Sequence, residues 1–320
     1  MTDNININLE DIAKSCYFFE NIDYQKVIEK IDALKEKYDE DKLVDIYNYM
    51  LSKSQQPEVL IHLIRCCDEY RKSSTLEHLI NILLLKNFSY LNEDLKEKFL
   101  NVRIMCAKAI GNQKNTSVVN PLLYCMNNKD ENYRVRLACA DALGRIGDKY
   151  AVAPLIEVVK DEDEKSVYLK ESAVSALALL GDSRALDPLI HILEAKQGIM
   201  DKFSFLKERV IEALDKLGYL SDHRVFKALK ASLYDESTQV RIDTIEALMN
   251  SENPDSYDII KDVLDNDNND EVKKNALIAL YNLKGRVILD EVISSSKYSE
   301  TLKMNAADII NEYESENEND

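Results

Sequence analysis

The stretch Val135-Arg136-Leu137-Ala138-Cys139-Ala140-Asp141-Ala142-Leu143-Gly144-Arg145-Ile146-Gly147-Asp148 decides the fold. Its apolar residues at 135, 139, 142 and 143 form one stripe of an α-helix, ending at a glycine that suits a helix C-terminus. The pair Ala142-Leu143 returns along the chain as Ala109-Ile110, Ala176-Leu177, Ala213-Leu214, Ala247-Leu248, Ala279-Leu280 and Ile309-Ile310. The steps from Ala109 onward are 33, 34, 37, 34, 32 and 30 residues. A period in this range signals stacked repeats that bury a continuous core between neighbours.

Setting the first residue of each pair at zero gives a register. Position −7 is always aliphatic (Val102, Val135, Leu169, Leu206, Val240, Val272, Leu302). Position −3 is small or medium (Cys106, Cys139, Ala173, Val210, Thr244, Ala276, Ala306). Position −6 is always basic (Arg103, Arg136, Lys170, Lys207, Arg241, Lys273, Lys303). Small residues in the middle of the stripe let the next unit approach closely. A cation in every unit marks architecture rather than a site. Each is expected to pair with an acid in a neighbouring turn while its stem covers core.

A second helix precedes three of these. It carries Pro121-Leu122-Leu123, Pro154-Leu155-Ile156 or Pro188-Leu189-Ile190, with Asn115, Asp148 and Asp182 six residues before each proline as N-caps. The prolines are expected within the first two turns, bending the helix by removing a donor. Gly147, Gly181 and Gly218 stand at +5 and close the second helix. The unit is therefore helix, turn, helix, turn. Only 7 Gly and 5 Pro in 320 residues agree with an all-helical chain.

The proline helix, the turn at 161–163, the base at −6 and the segment Ala142 to Asp148 resemble HEAT repeats, in the short bacterial variety called the phycobilisome-lyase HEAT-like repeat. The resemblance is strong over 96–250 and weaker over 251–313. Tetratricopeptide and ankyrin signatures are absent, with no Trp and no Thr-Pro-Leu-His. The resemblance implies an all-α, right-handed α-α superhelix, a HEAT-repeat solenoid of about eight or nine helix pairs. Residues 1–95 would be atypical N-terminal helical repeats, 96–313 HEAT-like repeats continuous with them, and 314–320 a disordered acidic tail.

The net charge of −17 is uneven. Residues 1–160 hold 22 Lys/Arg against 24 Asp/Glu, whereas 161–320 hold 19 against 34. Residues 101–150 alone are basic, with 8 against 4. An acidic second half opposes a nucleic-acid cradle along the whole length and favours a basic or amphipathic protein or peptide partner. Positions −5, −2, −1 and +2 lie opposite the core stripe, on the side that the resemblance makes the concave wall. They bring out Leu137, Asp141, Glu171, Glu208, Glu212, Ile242 and Glu246 as partner-binding candidates. The long fourth step inserts three or four residues near Ile199 and Met200, two further candidates, because repeat insertions fall in loops on one face. Phe203 and Phe205 are expected to begin the next helix and cover core.

No active site, cofactor or metal site is evident. The four histidines (His62, His78, His191, His223) do not pair on any helix, and adjacent Cys66-Cys67 suits neither a zinc knuckle nor a redox pair. All six cysteines are read as small core hydrophobes, which suggests a reducing, cytoplasmic setting, and Met1 to Glu10 carry no signal-peptide pattern. The HEAT-like subtype and the Asn/Ile/Lys-rich composition suggest a bacterial source. The longest apolar run, Ile82 to Leu85, cannot span a membrane. Asp265, Asp267 and Asn269 begin like a calcium loop but lack its glycine and final glutamate, leaving an acidic turn. The expected function is a non-catalytic scaffold or adaptor gripping a partner protein in its groove. The resemblance offers two alternatives. One is a lyase- or chaperone-like accessory subunit. The other is a HEAT-like alkylpurine DNA glycosylase, which the absence of Trp and the acidic charge oppose.

Overall fold

A computed structural model describes residues 8–20, 23–86, 93–195 and 203–317. Among them are eighteen α-helices, five short 3-10 turns and no strand, an all-α HEAT-like solenoid architecture. The chain divides into two compact units, Met1–Asp161 and Glu162–Asp320.

Unit 1 contains α1 (Leu9–Ser15), α2 (Tyr24–Asp32), α3 (Glu40–Lys53), α4 (Pro57–Tyr70), α5 (Leu76–Leu83), α6 (Glu93–Asn112), α7 (Val119–Asn127), α8 (Tyr133–Ile146) and α9 (Val152–Lys160). Unit 2 contains α10 (Val167–Leu180), α11 (Leu186–Glu194), α12 (Phe203–Lys216), α13 (His223–Ser232), α14 (Thr238–Asn250), α15 (Ser256–Asn266), α16 (Asp270–Lys284), α17 (Val287–Ser294) and α18 (Glu300–Asn317). Hairpin partners pack in pairs, as in α7 with α8, α13 with α14 and α15 with α16. The second helices form their own layer, α4–α6–α8 in unit 1 and α10–α12–α14–α16–α18 in unit 2. Helix α18 runs to Asn317, so helix occupies 314–317 of the segment expected to be a tail.

The register reads directly onto the core. All seven residues at −7 and all seven at −3 are buried, and so is every residue at position zero. Only Ile310 of the paired residues is half-buried, at the last helix of the stack. All six cysteines are buried and free, and Cys106 and Cys139 are fully enclosed.

Three rungs of the basic ladder stitch their helix to the turn that follows the next one, whereas Lys303 pairs with Glu300 of its own helix instead of an acid in a neighbouring turn. Arg103 of α6 forks onto both carboxylate oxygens of Glu131, in the turn before α8, and donates to the Leu83 carbonyl at 2.7 Å. Lys207 of α12 donates to Asp235 at 2.7 Å, before α14. Arg241 of α14 forks onto Asp267 at 2.9 and 3.2 Å, before α16. Arg136 donates its Nε to the Met126 carbonyl at 2.8 Å. The acidic turn at 265–269 is thereby structural: Asp265 accepts from Tyr298 and Lys297, and Asn269 caps α16.

The prolines differ from expectation. Asn115, Asp148 and Asp182 do cap, but they cap 3-10 turns at Thr116–Val118, Lys149–Ala151 and Ser183–Ala185. Each turn delays the α-helix, so Pro121, Pro154 and Pro188 fall at its third residue. First-turn N–H groups have no partner inside the helix, so these prolines remove no donor the helix uses. Gly147 and Gly181 close α8 and α10 at φ 81° and 63°, a left-handed conformation that favours glycine.

Candidate functional site

In unit 2 the second helices α10, α12 and α14 enclose a cleft of about 380 Å³. Its walls carry Glu171 from α10, Glu208, Glu212 and Asp215 from α12, and Asp243 and Glu246 from α14. Arg209 is the one cation among the lining residues, and it is ion-paired to Glu212. Phe205, in the first turn of α12, stands at the same cleft and is 64 % exposed, so it does not cover core as expected.

The cleft gathers four of the residues singled out by the register: Glu171, Glu208, Glu212 and Glu246. Ile242 is half-buried on α14 and does not line it. Leu137 and Asp141 sit partly exposed on α8 and belong to unit 1. Ile199 and Met200 lie outside the described residues. Phe205, Arg209, Asp243 and Asn250 line the cleft without being selected by the register, while Asp215 stands at the outward position +2. The position shared by Arg209 and Asp243, −4, was the available signal, because both are charged.

Crowding of like charge shows in the acidities. Burial, then the neighbouring Asp243 and Glu171 carboxylates, hold Glu208 above the usual carboxylate range. Burial raises Glu171, with Arg209 opposing it. Burial also raises Asp243, opposed by a 2.6 Å hydrogen bond from Gln239. Glu212 is lowered, chiefly by the hydrogen bond from Lys216 at 2.6 Å. On acidification, Glu208 and Glu171 should therefore take up protons before Glu212. The signs for stability follow from linkage. The raised pair weaken the fold above their folded pKa values, and falling pH relieves this. The contribution of Glu212 is present above its unfolded pKa and is lost as pH falls through its folded pKa. A carbon-13 carboxyl titration would resolve the order, and Glu212 protonating first would contradict it.

The alternating helix pairs, the buried −7/−3/0 stripe and the cation stitches define a helical-repeat protein. HEAT repeats match at residues 91–167, 129–200 and 206–281, together more than half of the chain, and the chain belongs to the HEAT-repeat family. No curated protein matches it in sequence. Among solved structures it is similar to the complex of CpcE and CpcF of phycocyanin lyase from Nostoc sp. PCC7120. That match has 20 % identity, covers 75 % of this chain and 88 % of the other, and has a TM-score of 0.42. It is also similar to human deoxyhypusine hydroxylase in complex with glycerol, at 16 % identity, 86 % and 96 % coverage and TM-score 0.34. She4p matches at 12 % identity, 96 % and 57 % coverage and TM-score 0.34. No helix among the described residues is long and apolar enough to cross a membrane.

Proposed function

We propose that this HEAT-repeat chain is a non-catalytic protein-binding scaffold whose unit 2 cleft receives a basic, amphipathic helix of a partner protein. The observation that carries this reading is the lining of the cleft: six carboxylates, one already paired cation and an exposed phenylalanine. A helix laid between α10, α12 and α14 would set Lys or Arg against the acids and an apolar side chain against Phe205. Cation binding would also offset the Asp243 and Glu171 carboxylates, which after burial raise Glu208. A nucleic-acid backbone would meet the same six acids and be repelled.

The test uses a labelled amphipathic peptide of Lys and Leu at helical spacing, with a Glu-for-Lys peptide as control. The full chain should bind the basic peptide and not the acidic one, and rising salt should weaken binding. Replacing Glu208, Glu212 and Glu246 together by Lys should weaken it at least about tenfold, or ~1.4 kcal/mol. Equal binding by the reversed variant would refute the assignment of the cleft.

A further inference from the structure

We propose that Asp32, His62 and Cys66 in unit 1 form a binding site for one divalent metal ion of the zinc class. His62 and Cys66 are one turn apart on the same face of α4, and Asp32 is the last residue of α2. His62 Nε2 lies 2.9 Å from Asp32 Oδ1 and 3.5 Å from Cys66 Sγ. All three donor atoms fall within 4.8 Å of one another.

These spacings approach a coordination polyhedron. Zinc holds N and O at about 2.0–2.2 Å and S at about 2.3 Å, so tetrahedral donors sit roughly 3.3–3.6 Å apart. The His62–Cys66 separation already meets this. The His62–Asp32 separation needs to open by only a few tenths of an ångström. Asp32 is well exposed, so that adjustment is easy, and it leaves an entry path and an open fourth position for solvent. The donor set also fits the ion's softness and charge, since one carboxylate, one thiolate and a neutral imidazole offset two positive charges.

The arrangement is not a nucleophile relay. In such a relay the carboxylate takes the proton on Nδ1 while Nε2 faces the nucleophile. Here the carboxylate and the sulfur crowd the same ring nitrogen. Once Nε2–H donates to Asp32, that nitrogen cannot accept from the thiol, whereas a cation engages all three lone pairs. A second observation concerns Tyr47. Its buried hydroxyl faces Cys66, where as a donor it favours the thiolate, and lies within electrostatic reach of Asp32. A metal-bound thiolate would be a stronger acceptor for that hydroxyl than the free thiol, which makes Tyr47 an outer-shell donor to the sulfur ligand. The nearby ammonium of Lys35 is paired to Glu69 at 2.8 Å and so does not oppose the ion uncompensated. Burial pushes the free Cys66 thiol up to about 11, so coordination displaces its proton to solvent.

Cobalt(II) added to the full chain is the direct probe. Saturation at one ion per chain is expected, with visible tetrahedral bands, a near-ultraviolet thiolate-to-cobalt transition and displacement by zinc. Cys66→Ser should abolish that transition. Asp32→Asn, at an exposed position, should leave the melting curve of the metal-free protein unchanged and weaken binding at least tenfold. Absence of saturable one-to-one binding would overturn the proposal. So would a thiolate transition that persists in Cys66→Ser, because another cysteine would then be the ligand.

Discussion

Asp235→Ala is expected to lower the stability of unit 2 by about 3–5 kcal/mol, far more than removing an ordinary surface ion pair. The Lys207 and Asp235 side chains are only 7 % and 4 % exposed, and their charged atoms are 2.7 Å apart. Loss of the carboxylate strands an ammonium where water cannot replace its partner. Asp235 also accepts the Ser237 backbone N–H at 2.9 Å, so the substitution frees the turn that starts α14. The effect should be asymmetric. Replacing both partners by apolar residues, Lys207→Met with Asp235→Leu, removes both buried charges and should recover most of the loss. Urea unfolding of the two single variants and the double variant closes the cycle. Repeat units contact mainly their neighbours, so amide exchange should accelerate first along α12 and α14. A single-variant loss below about 1 kcal/mol would mean that the stitch behaves as a solvated surface pair.

Such stitches were legible before any coordinates because they recur. A lone base before an Ala-Leu pair says nothing. Seven share one register position, and three of them pair with an acid 26–28 residues later, a contact between adjacent repeats. The same averaging made the −7, −3 and 0 slots readable as core. The helix wheel failed where a surface is made by several helices. Treated singly, each second helix turns −5, −2, −1 and +2 away from core. In the cleft, α12 presents −5, −1 and +2 as Glu208, Glu212 and Asp215, but −2 is not an outward position as expected: Ala107, Ala140, Val174, Ile211, Ile245 and Leu277 are buried, because neighbouring second helices cover that row. Its neighbour α14 instead turns a flank inward, with Asp243 and Asn250 at −4 and +3 joining Glu246. That rotation hides Ile242 and brings in Asp243. No single-helix periodicity contains the packing angle that decides it. Helix α12 begins at Phe203 as expected, but Phe205 stands at position −8, beyond the aligned stripe, and faces the cleft instead of the core.

The N-terminal third was harder for a different reason. Residues before 95 carry no repeat register, so no alignment could place Asp32 beside a helix thirty residues later. The His62–Cys66 spacing of four was visible. Its third member was not, because a triad drawn from two helices depends on tertiary packing rather than on local pattern. The prolines show a milder case. Their spacing from the N-caps was right, but a single 3-10 turn moved them from a bending position to a harmless one.

The seam between α6 and α8 gives the sharpest test of the register, because two effects of opposite sign compete there. Gly111 lies two residues past position zero of α6, against position zero of α8. A Cβ added at Gly111 would come within 2.8 Å of the Ala142 Cα and 3.0 Å of its Cβ. Gly111→Ala, one residue from the C-terminal end of α6, would by itself stabilise by at most about 0.5–1 kcal/mol through backbone entropy and propensity. The obstacle is backbone, which cannot rotate away, so the overpacking cost of about 1–3 kcal/mol should win and the variant should melt lower. Ala142→Leu pushes from the other side. Ala142 is fully enclosed, and the added carbons meet the same unyielding approach, so a loss of at least about 1–3 kcal/mol is expected. The two substitutions force the same pair of helices apart, so the double variant should lose less than the sum of the singles. Chemical denaturation of the three proteins measures all of this. A stabilised Gly111→Ala, or an unchanged Ala142→Leu, would show that α6 and α8 do not meet at the small-residue seam on which the whole repeat register is built.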